Sequence, residues 1–310
     1  MTRIDRLLAA GRTISFEFFP PKTDDGESAL RRTLNELAPL QPSFVSITYG
    51  AGGSTRERTH RLVVDLLRHT PMPPMAHLTA VSHTRDELRT IITRYLDAGV
   101  HNLLALRGDP PRDAEEVFFD LEHAWQLVTL AREVGGDTFS IGVAAHPAGH
   151  PTAPDLATDR RHLAAKLALA DLAVTQFFFG VEEYERLIDD LAGLGCHKPV
   201  LPGIMPITNI RQIQRFAELS GTEVPRRLVE RFDALGDDEV AVRSLGIELA
   251  TELCQDLLAA GAPGLHFYTL NRSTATREIH ANLALRDERG GGGVVLTGAA
   301  PESWGGGSLP

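Results

Sequence analysis

Cysteine is nearly missing from this chain: its 310 residues include two, Cys196 and Cys254, in no CxxC arrangement. That argues against a disulfide framework or a zinc knuckle and fits a reducing, cytoplasmic setting. No stretch approaches the roughly 20 unbroken apolar residues of a membrane span. The start, MTRIDRLLAAGRT, lacks the long apolar core and cleavage site of a secretory signal. Basic residues are the minority, 31 Lys and Arg against 41 Asp and Glu, for a net charge of −10. Without a basic stripe, no nucleic-acid partner is expected. Walker loops, HExxH and GxSxG are absent, and no GxGxxG follows the first apolar run. The expectation is a soluble cytoplasmic protein with no metal centre and no membrane partner.

What the chain does have is a rhythm. Short apolar runs recur eight times: TISFEFFP (13–20), FVSITYG (44–50), PMAHLTA (74–80), NLLALRGD (102–109), SIGVAAHP (140–147), LAVTQFFF (172–179), PVLPGIMP (199–206) and GLHFYTLN (264–271). Amphipathic charged stretches separate them, several ending in Gly, the usual helix stop. Near-continuous apolar strands alternating with helices indicate a parallel sheet, and eight such units indicate an α/β (β/α)8 TIM barrel in a single domain. An open doubly wound sheet is the alternative. Before the last strand, 57 residues carry helical patterns at 210–219 and 238–260, with an insertion near 224–235. The expected division is a catalytic domain over 1–289 and a disordered Gly-rich tail over 290–310.

One acid stands out. SFEFFPPK (15–22) sets Glu17 among Phe16, Phe18 and Phe19. An ionised carboxylate without a partner is costly to bury, so such a group tends to keep its proton or to have a task. Barrel chemistry sits at the C-terminal strand ends. There the runs supply Glu17, Thr48, His77, Arg107, Asp109, His146, Gln176, Tyr268 and Arg272. Taken singly, a Thr or His at a strand end ordinarily closes a turn, and Phe177–Phe179 ordinarily belong to a core. Together they describe a polar pocket, the default place for a ligand. Gly108, beside Asp109 in RGDPP, lets a planar ligand lie close to the backbone. After the fifth run come His150, Asp159, Arg160, Arg161 and Lys166, where Asp155 could cap a helix and the loop could hold phosphates. Read this way the residues give a barrel enzyme with a central acid, and name no reaction.

SFEFFPPK, SITYGAGGSTRERTH, AHLTA, LLALRGDPP, TQFFF, PGIMPITN and HFYTLNR, in that order, resemble the bacterial methylenetetrahydrofolate reductases over residues 13–285. The resemblance implies a barrel that holds FAD and passes hydride from NADH or NADPH to 5,10-methylenetetrahydrofolate in a ping-pong relay, giving 5-methyltetrahydrofolate. It implies that Glu17 is the general acid that protonates N10, with a pKa raised by its apolar strand. Asp109 falls on the aspartate that hydrogen-bonds the pterin beside the flavin. Gln176, Gln212, Phe216 and Arg272 fall on substrate-side positions, and Tyr268 is grouped with them. Thr48, His77, Arg107, Gly108, His150, Asp159 and Lys166 fall on FAD-holding positions. His146 and His123 stand where the family pattern has tyrosines, also against the cofactor. The resemblance further implies a homo-oligomer. Two other readings stay open: a flavin-independent relative with direct hydride transfer, which the two histidines would explain, and a catalytically silent folate- or nucleotide-binding barrel.

Overall fold

Side chains in the first strand, β1 (Thr13–Phe18), alternate between two environments because the strand period is two. Phe16 and Phe18 pack with Leu30, Leu34 and Leu37 of helix α2 (Asp24–Leu37), on the outer face of a sheet. Ser15 and Glu17 point the other way. The same split repeats around a ring of parallel strands in a computed structural model that describes residues 2–50, 56–110 and 118–290.

After β1 and α2 come β2 (Phe44–Ile47), α3 (Arg56–His69), β3 (Pro74–Thr79), α4 (Arg85–Asp97), β4 (Asn102–Leu106) and α5 (Ala124–Gly135). Then follow β5 (Ser140–Ala145), α6 (Leu156–Leu169), β6 (Leu172–Thr175) and α7 (Val181–Gly193). The strands pair in parallel, with β9 (Gly264–Tyr268) against β1, so the first and last strands meet side by side. This is the expected (β/α)8 barrel. Helix starts are chemically marked: Thr84 and Glu87 form a reciprocal capping box on α4, and Asp155 accepts from Thr158 N at 2.7 Å at the start of α6.

The seventh stave differs from the single run expected. Pro202 has no N–H to donate, and the strand divides there into β7 (Val200–Leu201), bonded to β6, and β8 (Gly203–Ile204), bonded to β9. The expected helical insertion follows as α8 (Ile210–Ser220), α9 (Arg226–Asp233) and α10 (Glu239–Ala259). It builds a small core of its own from Ile207, Ile213, Leu228, Phe232 and Val242, against which Phe179 and Phe216 pack. The final helix, α11, runs Thr274–Gly290. The expected tail lies outside the described residues from 291 on.

The inside of the barrel is layered. Its floor is apolar: Phe44, Met75, Leu104, Leu172, Val174 and Leu201 meet Ile4 of the N-terminal helix α1 (Ile4–Ala10). Ile4 N donates to Asn102 Oδ1 at 2.9 Å, which pins this plug to β4. Above the floor the interior turns polar. No helix among the described residues is long and apolar enough to cross a membrane.

Candidate active site

The polar layer centres on Glu17. Three groups stand 3.3 Å from its Oε2: Ser46 Oγ of β2, which donates to it, His266 Nε2 of β9, and His77 Nε2 of β3. All four side chains are buried, His266 completely. Strand periodicity explains the cluster, since Ser15 and Glu17, Ser46 and Thr48, Met75 and His77, and His266 and Tyr268 are i, i+2 pairs facing inward. Glu17 is therefore not in the apolar environment expected of it, because its phenylalanine neighbours in sequence face the helices. Burial pushes its carboxyl up, but His77, His266 and Ser46 together outweigh burial and hold it below the usual carboxylate range. Burial pushes His77 down, against the pull of Glu17. The expected raised pKa is thus corrected: the ligand-free carboxyl is ionised at neutral pH, with imidazoles at its side.

His266 was not among the residues expected at the site. Its Nδ1 lies 2.7 Å from Ser15 Oγ, and that hydroxyl also reaches Leu265 O at 3.3 Å. Ser15 donates to Nδ1 across the shorter of these contacts, which leaves the ring proton on Nε2, where it is donated to Glu17 Oε2. That proton lies between Nε2 and Oε2. The ring stacks on Phe44 of the floor, centroids 5.9 Å apart, which fixes its plane. Applying the two-residue period to GLHFYTLN would have found it, since His266 shares a face with Tyr268.

Tyr268 does not present a free hydroxyl. It donates to Thr175 O across the barrel. Burial, then the nearby Glu17 charge, pushes its pKa well above the usual tyrosine value, so it stays protonated. Gln176, the residue after that strand, is half-buried, and its Oε1 accepts from Phe177 N at 3.0 Å. Thr48, half-buried, follows β2, and its carbonyl accepts from Thr59 Oγ1.

A second group of expected residues surrounds a cavity of about 1000 Å³ beyond the ends of β4 and β5, lined among others by Arg107, His123, His146, His150, Asp159 and Lys166. Lys166 reaches in from α6 and donates to Ala144 O at 2.7 Å; burial lowers its pKa to about 8. The His146 ring meets His150 edge-on at 4.8 Å and is pushed down to about 3, first by burial and then by the charges of His150, Lys166 and Arg160. His150 is lowered too, chiefly by burial. Arg107 lies 4.1 Å over the Phe119 ring and donates through Nε to Glu122 O. Gly108 has φ +80°, and a Cβ there would meet Val81 Cγ1 at 2.6 Å and Thr79 Cβ at 2.8 Å. Only glycine lets the backbone pass this close.

Arg160, a phosphate candidate, is already engaged. It is buried, and it donates to His146 O at 2.9 Å, Pro147 O, Asp159 at 3.0 Å and Asp190 at 3.1 Å, tying the β5–α6 loop to its helices. Arg161 is exposed and donates to Thr158 Oγ1. Asp109, Gln212 and Arg272 are exposed around the C-terminal rim, and Phe216 leans on the small core of the insertion. Phe177 and Phe178 are core residues, as the plainer reading has it.

The family model described as Methylenetetrahydrofolate reductase matches residues 3–284. The 5,10-methylenetetrahydrofolate reductase of Escherichia coli (strain K12) is 38% identical over 275 residues, covering 88% of this chain and 91% of that protein. Methylenetetrahydrofolate reductase (NADH) 1 of Arabidopsis thaliana is 36% identical over 92% of this chain and 51% of its own length. Among solved structures, a Clostridium thermocellum protein described as binding two copies of 5-methyl-5,6,7,8-tetrahydrofolic acid aligns with a TM-score of 0.60 at 13% identity, over 92% of this chain and 99% of that one, a likeness of fold.

Proposed function

The chain belongs to the methylenetetrahydrofolate reductase family, and from that premise we propose that it reduces 5,10-methylenetetrahydrofolate to 5-methyltetrahydrofolate, taking hydride from NADH or NADPH by way of bound FAD. The observation that carries this reading is the buried carboxylate at the end of β1 with two imidazoles 3.3 Å from one oxygen. Opening the folate's five-membered ring requires a proton at N10, which converts a poor hydride acceptor into an iminium at N5. Glu17 is the group positioned to deliver it. Because the ligand-free carboxyl is ionised, the proton is held by the Glu17–His266 pair acting together, with Ser15 fixing the ring and His77 walling off the far side.

The residues around the large cavity fit a dinucleotide. Lys166, His150 and Arg107 suit phosphates, alanines and Leu163 line an apolar wall, and Gly108 allows a flat ring to approach the backbone. FAD, when bound, would supply two-electron storage between the nicotinamide and the folate. His146 and His123 would face it in place of tyrosines. Asp109 would meet the pterin, and Gln176, Gln212, Phe216 and Arg272 the rest of the folate.

The test is an anaerobic absorption titration of the purified protein. Flavin bands that bleach with NADH or NADPH and return with methylenetetrahydrofolate are expected. A colourless protein that stays so with added FAD, yet reduces the folate, would replace the relay with direct transfer.

A further inference from the structure

In a closed barrel every stave bonds to both neighbours. Here the seventh stave is interrupted at Pro202, and β7 and β8 each bond to one neighbour. Above the break, Thr175 of β6 and Gly203 of β8 face each other with no ladder between them. Two side chains close this seam. Thr175 Oγ1 accepts from Gly203 N at 2.9 Å, and Thr175 O accepts from the hydroxyl of Tyr268, which reaches over from β9. Gly203 makes room for that reach: a Cβ there would meet Tyr268 Cε2 at 2.6 Å and its hydroxyl oxygen at 2.7 Å. Thr175 is fully buried, so its carbonyl has no water to replace a lost donor.

Tyr268 touches the acid site as well. Its ring stands edge-on to His266, centroids 5.5 Å apart and planes at 90°. One end of the side chain therefore bears on the imidazole that holds Glu17, and the other on Thr175, the last residue of β6, which Gln176 follows. With its hydroxyl spent and its proton firmly held, it does no proton transfer. We infer that Tyr268 is a positioning residue, setting Gln176 through the hydroxyl–Thr175 bond and the Glu17–His266 pair through ring contact. The inference rests on the reductase reading above.

The two ends separate by substitution. Tyr268→Phe keeps the ring and frees the seam. The KM for methylenetetrahydrofolate should rise about tenfold, the equivalent of about 1.4 kcal/mol, while kcat and its pH profile are kept. Tyr268→Leu removes the ring too, so kcat should fall and the pH profile of folate reduction should move. In a Gln176→Ala background, Tyr268→Phe should add nothing further to KM, because the residue it acts through is gone. Circular dichroism melts guard against trivial unfolding; an unfolded fraction lowers kcat without raising KM or moving a pH profile. Unchanged KM in Tyr268→Phe, or full additivity with Gln176→Ala, would overturn the inference while leaving the reductase reading intact. A wild-type protein that does not reduce the folate would overturn both.

Discussion

Replacing Glu17 by Gln tests the acid directly. The amide has nearly the size of the carboxylate, and its oxygen can accept from Ser46 and from His266 Nε2–H. The cluster therefore stays packed while the one proton it can deliver is removed. Positioned general acids contribute about 10²–10⁴-fold, so the folate step should lose roughly 3–5 kcal/mol of transition-state stabilisation at about 1.36 kcal/mol per decade. Anaerobic stopped-flow separates the two halves: flavin reduction by NADH or NADPH should be nearly normal, and reoxidation by methylenetetrahydrofolate slow by that factor. A stability measurement adds an independent check. The Glu17 carboxyl is held below its usual range in the fold, so its charge stabilises the protein above the unfolded carboxyl pKa, and that stabilisation fades as pH falls through the folded value. The variant should melt slightly below wild type at pH 7, and the gap should close in acid. Normal folate turnover by Glu17→Gln, or equal losses in both half-reactions, would refute the assignment.

Asp109→Asn should slow folate reduction more than flavin reduction, as single-turnover traces of each half would reveal; parallel losses would count against a pterin-side role. Gly108→Ala, forced to hold φ +80° with a Cβ against Val81 and Thr79, should weaken FAD binding in a fluorescence titration, and unaltered affinity would show that the backbone there is not the cofactor's neighbour. Arg160→Met strands buried Asp159 and frees two loop carbonyls, which should cost roughly 3–5 kcal/mol in chemical denaturation; a loss below 1 kcal/mol would demote the loop clamp. His146 is held at about 3 against an ordinary 6.5, so the unfolded chain takes up its proton first and stability drains away as pH falls from 6.5. His146→Tyr should flatten the melting-temperature profile between pH 6.5 and 4 by up to about 1.4 kcal/mol per pH unit, and matching slopes would disprove the burial of that ring.

The barrel was legible because parallel strands buried on both faces read as apolar runs, and eight of them were present to be counted. The division at Pro202 was not read, because one apolar run conceals both the break and which neighbour each half bonds. At the site, residue types were easier to read than surroundings. Glu17 looked apolar because a sequence displays neighbours at i±1, which in a strand face away; Ser46, His77 and His266 come from three other strands. The same limit hid the distinction between Arg160, turned inward to carbonyls and carboxylates, and Arg161, turned to solvent one position later. Periodicity places side chains on a face, while tertiary pairing decides what each one meets.

The contact between Glu17 and His266 joins positions 249 apart in the chain. Contacts that distant carry a heavy loop-closure cost and form late. A chain emerging from the ribosome has Glu17 almost at once, whereas His266 arrives with the last stave. Until β9 docks beside β1 the Glu17 carboxylate lacks its His266 partner, so on the proposed role a partly assembled barrel has no acid to offer. Catalytic competence thus serves as a reporter of complete closure: recovery of folate turnover during refolding should trail the return of helical signal, with the interval timing the β1–β9 seam.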